Sequence, residues 1–273
     1  MDSVKLKRSG QVLAPSLFTM GNMACGYYSL VASSRGDFAS AATTILAGIV
    51  FDMLDGRVAR LVRGESMFGV EFDSLADFVT FGVAPAYMMW ALTLKDYGAW
   101  GIPISFLFAL AGGLRLARFN AVAHAGTGSK THFQGLPIPA GAGALASFVL
   151  VYDILENRPP GALGALRGEV DILFVAAPIF VVGLALLMVS SIPYGAFKQV
   201  KLLQRKNLPV LLAVAVVAAL VYLYPQNALF IIFLLYVISG LTGLTGKPTK
   251  APVQHPAPPA KPEPPGPAAP GPV

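Results

Sequence analysis

Four aspartates in the first third of the sequence have the residue type and the spacing of a metal site. Asp52 and Asp55 are three residues apart, and Asp73 and Asp77 are four residues apart. Residues three or four apart share one face of an α-helix, so each pair presents two carboxylates on the same side. Carboxylate oxygens suit Mg²⁺, which commonly also binds substrate phosphates, and two bridged metals can stabilise both oxygens of a displacement. The spacing therefore suggests phosphoryl-type chemistry on a pyrophosphate.

Small and basic residues flank these acids. Gly56 and Ala59 would let a bulky ligand approach the helix backbone. Three arginines could hold phosphate charge: Arg57, Arg60 and Arg63. A single acid near a helix end often only faces water, but four clustered acids repel one another and need bound cations or protonation. A proton or ion relay in a transporter is the competing interpretation.

The composition predicts a membrane protein rather than a water-soluble globule. Of the 273 residues, 55% are hydrophobic and 12% are charged, and the mean hydropathy is +0.64, whereas a soluble domain carries about 25% charge. The formal net charge is +6, but most basic residues lie between apolar runs. They therefore indicate membrane topology rather than a nucleic-acid partner. A single cysteine, Cys25, excludes an intrachain disulfide.

Eight apolar runs approach the length needed to cross a hydrocarbon core of ~30 Å as helices. They predict an all-α, polytopic helical bundle with about eight transmembrane helices; six spans with re-entrant or interfacial pieces are the alternative. The short loop after the second span predicts that the second and third helices are antiparallel neighbours, so that the two acidic faces can converge. The predicted spans are 14–34, 38–56, 67–93, 99–122, 138–155, 170–192, 208–224 and 226–245.

The basic residues predict the orientation of these spans. With a cytoplasmic N-terminus, sixteen of the twenty lysines and arginines lie in cytoplasmic segments, and the other four lie outside: Arg35, Lys95, Arg158 and Arg167. This distribution matches the positive-inside rule and predicts a multi-pass protein of the cytoplasmic membrane with both termini and the acids on the cytoplasmic side. Residues 1–13 are then a cytoplasmic segment, 14–246 the transmembrane catalytic domain, and 247–273 a disordered Pro-rich tail.

The acids and their neighbours also carry a family pattern. The spacing D-x2-D-G-x2-A-R-x8-G-x3-D-x3-D is matched at every fixed position from Asp52 to Asp77, and it resembles the signature of the CDP-alcohol phosphotransferases. The resemblance implies a membrane enzyme with a six-helix core, here with two further helices. It also implies two bound divalent ions, Mg²⁺ or Mn²⁺. In such enzymes an alcohol hydroxyl attacks the phosphate of a CDP-linked lipid and CMP leaves.

The resemblance assigns roles to individual residues. The metal ligands would be Asp52, Asp55, Asp73 and Asp77. Asp77 would also be the general base. The pocket for the CDP-linked lipid would be lined by Gly56, Ala59, Arg60 and Gly69. Thr19 and Asn22, in the first span, are further candidates for this pocket, although hydrogen bonds between helices explain them equally well.

Other segments indicate which alcohol attacks. Residues 15–26, 76–85, 114–120, 133–140 and 190–194 resemble the membrane-embedded bacterial phosphatidylserine synthases, a subgroup of that family. This resemblance implies CDP-diacylglycerol and L-serine as substrates, and a homodimer. The candidate serine-binding residues are Arg118, Arg115, Asn120 and Gln134. The two arginines could hold the serine carboxylate through a bidentate contact, or they could be topology anchors.

Two alternative functions fit the same residues. The first keeps the reaction and changes the acceptor to glycerol 3-phosphate, an inositol compound or choline. The second is an ion-coupled transporter, which would move a substrate across vesicles without releasing a nucleotide. His124 and His132 could form a separate metal site, but a solvated loop is the favoured interpretation because oxygen ligands lie nearby.

The distribution of lysines and arginines predicts which loops face the cytoplasm. Cysteines introduced into residues 57–65, into residues 124–134 and into the C-terminal tail of a Cys25→Ser variant should all react with an impermeant thiol reagent from the cytoplasmic side. The measurement is labelling in sealed vesicles of known orientation. Labelling of these three regions from different sides would contradict the predicted topology.

Overall fold

The apolar runs of the sequence form helices, because lipid leaves backbone groups no partner outside the helix itself. The computed structural model describes residues 3–62, 67–124, 132–157, 167–195 and 225–242. In these ranges the α-helices are α1 (Ser3–Ser34), α2 (Phe38–Val62), α3 (Met67–Asp77), α4 (Ala84–Leu92), α5 (Gly101–His124), α6 (Ile138–Asn157), α7 (Arg167–Val189) and α8 (Pro225–Leu241). A π-helical segment, Phe78–Val83, joins α3 to α4, and a 3-10 segment, Leu94–Trp100, joins α4 to α5.

Four helical stretches in the described part of the chain have the length and composition to cross a membrane. They are Phe38–Val58, Met67–Leu92, Leu94–Val122 and Ile138–Leu155. The prediction of an all-α membrane protein is confirmed, but the count of about eight spans is not. The apolar stretches described in α7 and α8, Leu173–Val189 and Asn227–Leu241, are shorter.

Other predicted elements have different outcomes. The predicted first span is part of α1, which begins at Ser3, before the predicted boundary between residues 13 and 14. The predicted seventh span, 208–224, and the Pro-rich tail, 247–273, lie outside the described residues. The hydropathy pattern predicts neither the 3-10 segment that precedes α5 nor the pair of short strands that lie before α6 and after α7.

A three-residue turn makes α1 and α2 antiparallel neighbours. Gly36 in this turn has a φ of +78°, a conformation that glycine adopts without strain. Asp37 caps the N-terminus of α2, because its Oδ1 accepts a hydrogen bond from the backbone N–H of Ser40 at 3.1 Å. Hydrogen bonds from Ser40 hold the pKa of Asp37 below its ordinary value. The two helices pack along much of their length.

A two-stranded antiparallel sheet ties the start of α6 to the end of α7. Strand β1 (His132–Gln134) pairs with β2 (Pro193–Gly195), with Phe133 opposite Tyr194. Gly135 follows β1 with a φ of +81°, and a Cβ there would lie 2.3 Å from the carbonyl oxygen of Met188. Only glycine fits this crossing without displacing the backbone of α7.

Helix α6 is the centre of the bundle. Its residues 141–150 are all buried, and it packs against α2, α7 and α8. Phe148 on α6 contacts the rings of Phe180 and Phe230, with centroid distances of 5.5 and 6.2 Å. Helix α6 therefore connects the acidic helix α2 with α7 and α8 in one apolar core.

Small residues let α1, α2 and the π-helical segment approach closely. A Cβ on Gly26 would lie 2.5 Å from Thr80 Oγ1 and 2.7 Å from Thr80 Cα. A Cβ on Gly48 would lie 2.6 Å from Thr80 Cγ2. Thr80 is fully buried, and its hydroxyl donates a hydrogen bond to the backbone carbonyl of Asn22 at 2.8 Å. This contact fixes α1 against the helix that carries two of the acids.

The close contact predicts a stability difference between two glycines. Gly26→Ala should destabilise the protein by about 1–3 kcal/mol, because the new methyl group meets the backbone of Thr80. Gly183→Ala is the matched control, because no atom lies within 4 Å of a Cβ there, and alanine favours a helix. Thermal unfolding of the purified variants in detergent measures both effects. Equal melting temperatures for the two variants would show that the contact is not tight.

Candidate active site

Three of the four predicted acids meet in one cluster. Asp52 lies on α2, and Asp73 and Asp77 lie one turn apart on α3. One carboxylate oxygen from each residue lies within 4.8 Å of the other two, and all three residues are half-buried. Helix α1 packs against both α2 and α3, and so holds the two acidic faces together. The expectation that these faces converge is confirmed.

Asp55 lies beside this group of three rather than in it. Its side chain is 6% exposed, and its Oδ2 accepts a hydrogen bond from the hydroxyl of Thr19 on α1. It lies close enough to Asp52 and Asp73 for their charges to interact. The acids therefore differ in position. Asp52, Asp73 and Asp77 share a common centre, and Asp55 lies next to them, where it is hydrogen-bonded to α1.

Asn22 supports the other end of the cluster. Its Nδ2 donates a hydrogen bond to Asp77 Oδ1 at 2.9 Å, and its side chain is fully buried. Thr19 and Asn22 are three residues apart, so they lie on one face of α1. Thr19 thus hydrogen-bonds Asp55 beside the cluster, and Asn22 hydrogen-bonds Asp77 within it. Both contacts agree with the interpretation of hydrogen bonds between helices, and the predicted contact with the CDP-linked lipid stays a prediction.

The carboxylate oxygens of these acids are suitable ligands for a hard divalent cation. Asp55 Oδ1 and Asp73 Oδ1 are buried and have no hydrogen-bond partner among the described residues. Buried carboxylate oxygens without donors are costly unless a cation or a proton compensates them. Oxygen ligands at this spacing favour Mg²⁺ or Mn²⁺ over softer metals.

Arg115 brings positive charge to the cluster from α5. Its guanidinium interacts electrostatically with Asp77, and its Nε is buried without a hydrogen-bond partner in the described part of the chain. Arg118, one turn further along α5, is exposed. Arg115 is thus half-buried and interacts electrostatically with one acid of the cluster, whereas Arg118 is exposed.

The remaining predicted residues have mixed positions. Asn120 on α5 donates a hydrogen bond to Ser74 Oγ at 2.9 Å, which links α5 to α3 next to Asp73. Gly56 and Gly69 are half-buried near the facing ends of α2 and α3. The contacts predicted for three side chains lie outside the described residues: Ala59 and Arg60, near the end of α2, and Gln134, in β1. The same is true of Arg63 and of the His124 and His132 side chains.

Sequence reasoning missed three residues that contribute to this site. Thr80 and Ser74 accompany the acids on the same span, and their position three residues after Asp77 and one after Asp73 could have indicated them. Tyr236 on α8 interacts electrostatically with Arg115. No pattern indicated Tyr236, because an aromatic residue in an apolar run is typical of packing.

Comparison with known proteins places these residues in a family context. Residues 12–189 match the family model described as CDP-alcohol phosphatidyltransferase. The chain is similar to "CDP-diacylglycerol--serine O-phosphatidyltransferase" of Helicobacter pylori (strain ATCC 700392 / 26695), with 38% identity over 217 residues, or 80% of this chain and 84% of that protein. It is also similar to "Archaetidylserine synthase" of Methanothermobacter thermautotrophicus, with 34% identity over 185 residues, or 67% and 70% of the two chains.

The buried, unpartnered carboxylate oxygen predicts the effect of one substitution on metal affinity. Asp73→Asn should weaken Mn²⁺ binding at least about tenfold, because an amide is a poorer ligand and removes one negative charge. Glu71→Gln on the same helix is the matched control, since Glu71 is exposed and lies outside the cluster. Calorimetric titration of the purified protein with Mn²⁺ measures both. Equal losses of affinity would place the metal elsewhere.

Proposed function

This chain belongs to the CDP-alcohol phosphatidyltransferase family, and from that premise we propose that it transfers the phosphatidyl group of CDP-diacylglycerol to L-serine. The products are phosphatidylserine and CMP. The observation that carries the proposal is the meeting of Asp52, Asp73 and Asp77 within 4.8 Å at one end of a helical membrane bundle. Such a cluster suits a substrate whose diphosphate must be held by metal ions.

The acidic residues have separate tasks in this reaction. Asp52, Asp73 and Asp77 would hold a divalent metal, and Asp55, fixed by Thr19, would complete the set for a second one. Bound metal supplies positive charge that neutralises the diphosphate oxygens of the lipid nucleotide. Thr19 and Asn22 keep the carboxylates oriented, so the ligand geometry is present before substrate binds.

Asp77 is the general base of the proposed reaction. The serine hydroxyl oxygen forms a bond to the phosphorus that carries diacylglycerol, the bond from that phosphorus to the CMP oxygen breaks, and the hydroxyl proton passes to Asp77. Asn22 donates to Asp77 Oδ1 at 2.9 Å, which orients the carboxylate and leaves Oδ2 to meet the hydroxyl. A base positioned in this way needs no large movement of α3.

Arg115 is better placed than Arg118 to bind the serine carboxylate. Arg115 is half-buried and within electrostatic reach of Asp77, the proposed base, whereas Arg118 is exposed on the next turn of α5. A guanidinium can hold a carboxylate through two parallel hydrogen bonds, which fixes the acceptor in one orientation. We assign Arg118 to the rim of the site or to the topology signal.

The names of the relatives support serine as the acceptor. The bacterial and the archaeal relative are named for different lipids, but both are named for serine. Because serine is the acceptor named for both relatives while the lipid differs, we expect the residues around Asp77 to recognise serine. The site would face the cytoplasm, as the distribution of lysines and arginines predicts, and the proposed assembly is a homodimer.

CMP release tests this function directly. Purified protein with CDP-diacylglycerol and Mg²⁺ or Mn²⁺ should release CMP when serine is added, EDTA should abolish release, and added metal should restore it. Glycerol 3-phosphate, inositol 1-phosphate and choline serve as competing acceptors. Faster release with one of these than with serine would change the acceptor, and full activity without metal would contradict the metal site. Substrate flux across vesicles without CMP release would favour a transporter.

A further inference from the structure

We propose that Thr80, in the π-helical segment, is a positioning residue for the general base Asp77 and that it acts through Asn22. The proposal rests on the function proposed above and deepens it, because it adds an uncharged residue outside the acidic motif of the sequence. Thr80 follows Asp77 by three residues and lies in the segment Phe78–Val83, which begins directly after the base.

Two hydrogen bonds connect Thr80 to the base. The hydroxyl of Thr80 donates to the backbone carbonyl of Asn22 at 2.8 Å, and Nδ2 of Asn22 donates to Asp77 Oδ1 at 2.9 Å. Thr80 and Asn22 are both fully buried. Asn22 on α1 is therefore held at its backbone and at its side chain by two residues of the same membrane span. The three residues form a closed loop of contacts around the base.

The amide of Asn22 depends on this backbone contact for its position. Its Oδ1 is buried and has no hydrogen-bond partner among the described residues. This atom lies against α2, 3.1 Å from the position that a Cβ on Gly48 would occupy. The bond from Nδ2 to Asp77 is thus not supported by a second bond at Oδ1, and the position of Nδ2 follows that of the Asn22 backbone. The hydroxyl of Thr80 fixes that backbone relative to Asp77.

The proposed chemistry is sensitive to such an arrangement. A general base must lie within hydrogen-bond reach of the proton that it takes, and a misplacement of about 1 Å can lower a rate about 100-fold. Metal binding is shared with three other acids of the proposed site, so a small rotation of the Asp77 carboxylate affects metal affinity less than proton transfer. Loss of the Thr80 hydroxyl should therefore lower turnover and leave substrate and metal binding nearly unchanged.

A pair of variants isolates the hydroxyl from the packing of the side chain. Thr80→Ser and Thr80→Ala both lose the methyl group that lies against Gly48, and only serine keeps the donor. The kcat of Thr80→Ala should be about tenfold lower than that of Thr80→Ser, and Thr80→Ser should stay within about threefold of wild type. The KM values for serine and CDP-diacylglycerol should change less than about twofold. Thr80→Val, which fills the space without a donor, is a second variant and should lower kcat at least as much as Thr80→Ala.

Calorimetric titration with Mn²⁺ supplies a readout besides activity. It gives the number of intact sites per chain, by which each kcat is divided, so that a loss of folded protein is not counted as a loss of turnover. The Mn²⁺ affinity of Thr80→Ala should stay within about threefold of that of Thr80→Ser. A fall in affinity as large as the fall in kcat would show that the hydroxyl supports the metal site as a whole, and it would overturn the assignment to the base.

Thr93 provides the matched control pair, Thr93→Ser and Thr93→Ala. Thr93 is also fully buried, and its hydroxyl donates to the backbone carbonyl of Met89 at 3.3 Å, but it follows α4 at the other end of the same span. The kcat values of these two variants should agree within about twofold. A difference as large as that between Thr80→Ser and Thr80→Ala would mean that the loss of any buried threonine hydroxyl explains the effect, and it would contradict a specific role of Thr80.

A double-mutant cycle tests whether Thr80 acts through Asn22. Thr80→Ala should change the kcat of Asn22→Ala less than about twofold, whereas independent effects would multiply. Multiplying effects, or equal kcat values for Thr80→Ser and Thr80→Ala, would each overturn the inference. Failure of the proposed function is distinguishable, because wild-type protein would then release CMP no faster with serine than without it.

Discussion

Repulsion between carboxylates that are partly withdrawn from water is the constraint on which the rest of the site depends. Asp52, Asp73 and Asp77 share one centre, and Asp55 is buried beside them. Such a group is stable only where donors or cations compensate it. Thr19 and Asn22 on α1 donate hydrogen bonds to two of these carboxylates, and Arg115 on α5 adds positive charge near Asp77. The remaining charge is what a bound divalent cation would balance, so the folded scaffold and its cofactor are parts of one electrostatic unit.

Helix α1 contributes no acid and yet determines where the acids lie. Its donors Thr19 and Asn22 contact one carboxylate on α2 and one on α3. The absence of a side chain at Gly26 allows the backbone of α1 to approach Thr80 closely. Packing at this interface and the orientation of the carboxylates are therefore coupled, since a shift of α1 by a fraction of an ångström would move both donors together.

The sequence predicted those features that helix periodicity and composition determine. The spacing of Asp73 and Asp77 places them on one face of any α-helix, and the apolar runs require helices in lipid. Periodicity does not show how deeply a side chain is buried. It therefore could not show that Arg115 is more buried than Arg118, although the two residues share a helix face. It also could not show that Tyr236 on α8 lies within electrostatic reach of Arg115 on α5, because that depends on how the helices pack. The count of about eight spans is not confirmed, since four helical stretches in the described part of the chain have the length and composition to cross a membrane.

The π-helical segment after Asp77 changes the direction in which the side chains of α4 point, relative to those of α3. A π turn holds one residue more than an α turn, so the helix beyond it is rotated relative to an uninterrupted α-helix, by ~100° for one residue. The half before the segment carries Asp73 and Asp77, which meet Asp52 in the acidic cluster, and the half after it carries Met88 and Met89, which are fully buried. Deletion of one residue from Phe78–Val83 would rotate one half of the span by about 100° relative to the other. The acids and the buried methionines could then no longer both keep their present positions. The π-helical segment thus lets one membrane span direct its acids to one side and its buried methionines to another.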